Sequence, residues 1–123
     1  MNGNNIFLDT NIVLYLIGGD ETLAELLNNK RVYISFITEL ELLGYMDITN
    51  EELQKVEEFL TAITIIDINS EIKKITNEIR RNYKVKLPDA IICATAYNMN
   101  LPLMTADKNL SKLTEINILQ YEQ

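Results

Sequence analysis

The sequence predicts an α/β domain of three layers, α-β-α, in which an open parallel sheet of about five strands carries helices on both faces. Three observations lead there. Short apolar runs alternate with longer segments of helical periodicity, which is the pattern of strand-helix-strand units whose strands lie parallel. One segment, Ala90, Ile91, Ile92, Cys93, Ala94, Ala96 and Tyr97, is apolar around most of a helix circumference, so this helix must be packed on nearly all sides. A chain of 123 residues with 47% hydrophobic content suits one core and shows no second domain, so residues 1–123 are read as a single unit.

The elements follow in order. Ile6, Phe7 and Leu8 mark a strand near 5–8, and a helix near 11–17 ends at Gly18 and Gly19. A helix near 21–28 stops at Asn28 and Asn29, before a strand near 31–35. The next helix, near 38–46, has an apparent start signal: Thr38 followed three residues later by Glu41 reads as a capping box, with Ile37 and Leu42 as its hydrophobic staple. Leu53, Val56 and Leu60 give a stripe to a helix near 50–61, with Glu51 and Lys55 one turn apart on its exposed side. A strand near 63–67 precedes the clearest helix, 69–84, where Ile72, Ile75, Ile79 and Tyr83 recur at helical spacing. Lys73, Lys74, Arg80, Arg81 and Lys84 then face outward. Pro88 suits the first position of a helix near 88–99, which places Asp89 in its first turn. Strands near 102–105 and 117–119 complete the sheet.

Composition removes several chemistries. Histidine is absent, which excludes Ser-His-Asp and Cys-His catalysis and imidazole acid-base work. Neither common Gly-rich phosphate loop is present. Cys93, without a partner cysteine, is expected to be a small buried side chain. No apolar run reaches the roughly 18 residues that a membrane span needs, and the start does not resemble a signal peptide, so a cytoplasmic protein is expected. The net charge of −7 is unevenly spread. Residues 1–61 hold eleven acids and three bases, whereas residues 62–123 hold seven acids and eight bases, six of them between Lys73 and Lys86. Such a run is either a solvated helix face or a phosphate-contacting one.

Four acids stand where strands end or helices begin: Asp9, Glu41, Asp89 and Asp107. Each has a structural explanation. Asp9 or Thr10 could cap the following helix, and Asp89 is favoured in a first turn by the helix dipole, worth about 0.3–1 kcal/mol. Glu41 belongs to the apparent capping box, and Asp107 could open a short helical turn. In open α/β sheets, however, ligands bind beyond the carboxyl ends of the strands, so acids at strand ends and helix starts converge on one crevice. Carboxylates gathered there repel one another unless a cation joins them.

Taken together, FLDTN, ISFITELELLG, LPDAIICATA and LMTADKNL, in this order and spacing, resemble the PIN domain of VapC-type toxin nucleases along nearly the whole chain. The resemblance implies a metal-dependent endoribonuclease held inactive by a small antitoxin protein, and the apolar residues Leu14, Tyr15, Leu16 and Ile17 of the first helix and Leu42, Leu43, Tyr45 and Met46 of the third would serve an antitoxin helix or a homodimer. It makes Asp9 the central metal ligand, Asp89 and Asp107 its partners, and Glu41 the acid that orients water or a second ion, with Asn11 and Thr105 as polar supports. Glu39 is also available, but the family's spacing from Ser35 favours Glu41. Where the family often carries a further acid or Asn near the last aspartate, this chain offers Lys108 and Asn109, which leaves one or two metal positions open. Oxygen-only ligands beside a phosphate suit Mg²⁺ or Mn²⁺. Lys73, Lys74, Arg80, Arg81 and Lys84 are the candidate RNA contacts. The alternative is a PIN-like RNA- or protein-binding module without catalysis. A phosphatase is disfavoured, because Asn11 stands where its second Asp belongs.

Overall fold

Pairs of helices separate the first four strands in residues 4–123, which the computed structural model describes. The elements are β1 (Asn5–Leu8), α1 (Thr10–Ile17), α2 (Glu21–Leu27), β2 (Arg31–Ser35), α3 (Phe36–Gly44), α4 (Asn50–Thr61), β3 (Thr64–Ile66), α5 (Ser70–Asn82), α6 (Leu87–Asn98), β4 (Leu103–Thr105), a 3₁₀ turn (Lys108–Lys112) and β5 (Ile118–Gln120). The strands form one sheet in the order β3-β2-β1-β4-β5, and every pair is parallel. This is the predicted architecture.

Strand pleating divides the core in two. Ile6 and Leu8 of β1 point to one face, where they pack with Ile12, Val13, Leu23, Leu27, Leu42 and Val56 from α1 to α4. Phe7 points to the other, onto Ala90, Ile92, Cys93 and Ala96 of α6 and Leu110 of the 3₁₀ turn. Seven consecutive residues of α6, Ala90 to Ala96, are buried, as its apolar circumference requires. Ile72 is fully buried and Ile75, Ile79 and Tyr83 partly so, while Lys73, Lys74, Arg80, Arg81 and Lys84 are exposed. Among the described residues no helix is long and apolar enough to cross a membrane.

Local corrections concern helix starts. α3 leaves β2 with no intervening loop: Ser35 is its N-cap, with Oγ accepting from the Ile37 amide at 3.1 Å. Thr38 is therefore inside the helix, and the capping box expected there does not form. A capping box does form at α4, where the Thr49 hydroxyl accepts from the Glu52 amide at 3.1 Å and Glu52 accepts from the Thr49 amide at 3.0 Å. α3 also ends at Gly44, short of the expected 46, leaving Tyr45 and Met46 exposed. Pro88 takes the second position of α6, after Leu87, where its missing donor is still harmless. The expected Glu51 and Lys55 pair is present at 3.9 Å.

Candidate active site

β1 lies at the centre of the sheet, with β2 and β3 added on one side and β4 and β5 on the other. The strand order thus reverses between β1 and β4, and an α/β sheet opens its crevice at such a switch, outside the carboxyl ends of the strands. Asp9 directly follows β1, and its amide donates to the Met104 carbonyl of β4 at 3.0 Å. Asp107 follows β4 by two residues and caps the 3₁₀ turn, accepting from the Asn109 amide at 2.9 Å. Asp89 occupies the first turn of α6, and Glu41 lies in the middle of α3.

Threonine hydroxyls tie these acids together. Asp9 is only 5% exposed. Its Oδ1 accepts from the Thr10 amide at 2.8 Å and its Oδ2 from the buried Thr105 hydroxyl at 2.6 Å. The same Thr105 oxygen accepts from the Asp107 amide at 3.0 Å, so one side chain spans two of the acids. On the other side, the Thr10 hydroxyl donates to Glu41 Oε1 at 2.6 Å and shares a 2.9 Å hydrogen bond with the buried Thr38 hydroxyl. Thr105 was expected as a support. Thr10 and Thr38 were not: Thr10 read as a cap and Thr38 as the start of a capping box, and nothing local indicates that residues 28 positions apart will meet. Asn11 is exposed in the first turn of α1, outside these hydrogen bonds.

The acids lie in one another's field. Burial pushes the Asp9 carboxyl above its ordinary value; the bonds from Thr105 and Thr10 oppose this, and Asp107 and Glu41 add to it. Asp89 is also raised, by burial first and then by Asp9, Asp107 and Glu41, with Lys86 opposing. Glu41, rather than Glu39, is therefore the glutamate that faces the aspartates. Beneath them lies Cys93, its thiol pushed up to about 12 by burial, with Asp9, Asp89 and Asp107 adding to the shift. Such a thiol stays protonated and is a poor nucleophile at neutral pH.

In chemistry this donor set fits a hard divalent cation. It offers carboxylate oxygens, the acids repel one another, and the ion pairs among the described residues, Lys55–Glu51 and Lys108–Glu122, involve none of them. In position the set is looser. Among the described residues no three acidic or Cys side chains stand close enough together to share one ion as they lie. The two observations agree if carboxylate rotation closes the set, because electrostatic influence reaches farther than a metal-ligand bond.

The PIN domain family model matches residues 6–116, most of the chain and all four acids. The chain belongs to the PIN domain family. It is 29% identical over 144 aligned residues to Ribonuclease VapC2 of Methanocaldococcus jannaschii, covering 98% of this chain and 96% of that protein. Among solved structures, this PIN domain is similar to a chain of the toxin-antitoxin complex from Klebsiella pneumoniae, with 31% identity, a TM-score of 0.81, and coverage of 96% of this chain and 99% of that one. A chain of VapBC2 from Rickettsia felis bound to a DNA fragment from their promoter has a TM-score of 0.82 over the same shares at 22% identity, a likeness of fold.

Proposed function

We propose that this PIN domain is a Mg²⁺- or Mn²⁺-dependent endoribonuclease and the toxin half of a toxin-antitoxin pair. The observation that carries this reading is that Asp9, Glu41, Asp89 and Asp107, from four separate parts of the chain, lie in one another's field at the switch point of the sheet with no ion-paired base among them. The relatives named as a ribonuclease and as a toxin-antitoxin complex support it.

In this reading Asp9, Asp89 and Asp107 hold the cation, which supplies Lewis acidity toward water and the scissile phosphate. Thr105 keeps Asp9 oriented and ties it to the Asp107 backbone. The exposed Glu41 carboxylate, fixed through Oε1 by Thr10, keeps its other oxygen free to orient an attacking water and accept its proton. The exposed apolar side chains Leu14, Leu40, Leu43, Tyr45 and Met46 offer contact area for an antitoxin or a second copy of the chain.

The separation of the carboxylates favours one other reading, a binding module that never assembles a metal centre. Cleavage of a mixed-sequence RNA separates the two. The ribonuclease cuts with Mg²⁺ or Mn²⁺, stops in excess EDTA, and leaves a phosphomonoester untouched. Undiminished cutting in EDTA removes the metal mechanism; no cutting with either ion leaves the binding module.

A further inference from the structure

The bases of this acidic chain are not equivalent. Lys74 shares a cavity of about 300 Å³ with Glu71, Glu78 and Glu115, so acids surround it. Around the last turns of α5 a second concavity differs in its lining. A concavity of about 460 Å³ is lined by Asn77, Arg80, Arg81, Tyr83, Lys84 and Val85, with no acid in its wall. The backbone of two lining residues is hydrogen-bonded. Arg80 Nε donates to the Val85 carbonyl at 3.4 Å, and Lys112 Nζ donates to the Lys84 carbonyl at 3.2 Å. Val85 is buried, while the side chains of Arg81, Lys84 and Lys86 remain exposed and outside the ion pairs of the described residues.

This short turn leads straight to the acids. Lys86 is the N-cap of α6, and Asp89 is in that helix's first turn. Five residues of chain separate Lys84 from Asp89, the last three of them helical, so their Cα atoms lie within roughly 14 Å of each other. Tyr83 contributes a ring to the same concavity, held by its hydroxyl, which donates to Glu115 Oε1 at 2.8 Å.

We propose that Arg80, Arg81, Lys84 and Lys86 form a phosphate track that feeds single-stranded RNA from the end of α5 into the acidic crevice, with Tyr83 as a base-stacking platform and Lys86 as the positioning residue beside Asp89. The proposal rests on the ribonuclease reading and refines it, for it leaves Lys73 and Lys74 out of the track. A polyanion must be led past a chain of net charge −7, and a row of unpaired cations ending at the site does this. A half-buried aromatic ring among those cations, its hydroxyl held by Glu115, offers a stacking surface to the bases of a single strand, which are free to stack. An acidic protein segment would gain nothing from the ring and would end against four carboxylates.

The test compares two double variants of the full chain with the same change of charge. Lys84→Gln/Lys86→Gln removes two track cations; Lys55→Gln/Lys108→Gln removes two cations already paired with Glu51 and Glu122. Binding of a labelled single-stranded RNA is titrated against KCl in EDTA, where no cutting interferes, and cleavage is then measured with Mg²⁺. The track variant should lose about 1.4 from the slope of log K against log salt, at about 0.7 per phosphate contact. Its cleavage should show KM raised on the order of tenfold, with the loss falling on KM more than on kcat, while the paired-cation variant matches wild type throughout. An unchanged slope, an equal loss in the paired-cation variant, or displacement of RNA by polyglutamate as readily as by unlabelled RNA would overturn the track. A wild type that binds RNA with the track-dependent slope yet cuts nothing would support the track and refute the ribonuclease reading.

Discussion

Two aspartates eleven residues apart occupy the same local position and have opposite electrostatics. Asp20 is the N-cap of α2; it accepts from the Leu23 amide at 3.0 Å and from the Tyr121 hydroxyl at 2.8 Å. Asp9 is the N-cap of α1; it accepts from the Thr10 amide at 2.8 Å and the Thr105 hydroxyl at 2.6 Å. The Leu23 bond, followed by that from Tyr121, holds Asp20 below the ordinary carboxylate value, whereas burial pushes Asp9 above it. Hydrogen bonds lower both carboxylates, so the bonds alone do not set the sign. What separates them most is burial: Asp20 is partly exposed, while Asp9 is buried and faces Asp107 and Glu41. A cap in water stabilises the charge it carries; the same cap moved under a cluster of acids becomes a place for a cation.

The contrast is sharpest in activity. Asp9→Asn keeps the shape of the carboxyl but is a poor ligand, so RNA cleavage should fall at least on the order of a hundredfold. Asp20→Asn, on the same kind of helix start, should stay near wild type in the same assay. Comparable losses in the two would erase the distinction between cap and site.

A smaller effect is expected one bond away. Thr105→Val preserves volume but removes the donor to Asp9 and the acceptor for the Asp107 amide. Orienting partners of this kind typically contribute 10–100-fold, so cleavage should fall by about that much with Mg²⁺ saturating. The buried polar groups left unpaired should also cost about 1–3 kcal/mol in a urea titration. Wild-type activity would show that Asp9 needs no holding.

The smallest effect is in stability, and its sign is informative. Asp89 has a raised folded-state pKa, so in metal-free protein its contribution to stability is greatest below 3.8 and is lost as pH rises through the raised value. Asp20 has a lowered one, so its contribution is present above 3.8 and is lost as pH falls through the lowered value. In EDTA at neutral pH, Asp89→Asn should therefore melt higher than wild type, by roughly 2–4 °C, and Asp20→Asn lower. Adding Mg²⁺ should raise wild type more than Asp89→Asn. An Asp89→Asn protein that melts lower in EDTA and responds to Mg²⁺ as wild type does would reduce Asp89 to a helix-dipole partner.

Much of the fold could be read along the chain because its signals are local. The wrapped apolar surface of α6, the stripe of α5 and the asparagine turns each depend on neighbours within a few residues, and Asn29 and Asn100 adopt the left-handed φ of 66° and 55° that such turns require. The start of α3 was misread because Thr38 and Glu41 satisfy a local pattern that a tertiary contact overrides. With Ser35 already capping, Thr38 is free to be buried against Thr10, and Glu41 is bound by the Thr10 hydroxyl in place of its own helix end. The sequence by itself determined which residues are acidic, that no histidine competes with them, and that Asp9 and Asp107 follow strands while Asp89 opens a helix. Only the tertiary structure decided which acids would lose their water and which hydroxyls would hold them. Burial and the bonds Thr105–Asp9 and Thr10–Glu41, spanning 96 and 31 residues, exist only once β1, β4 and α3 are packed side by side.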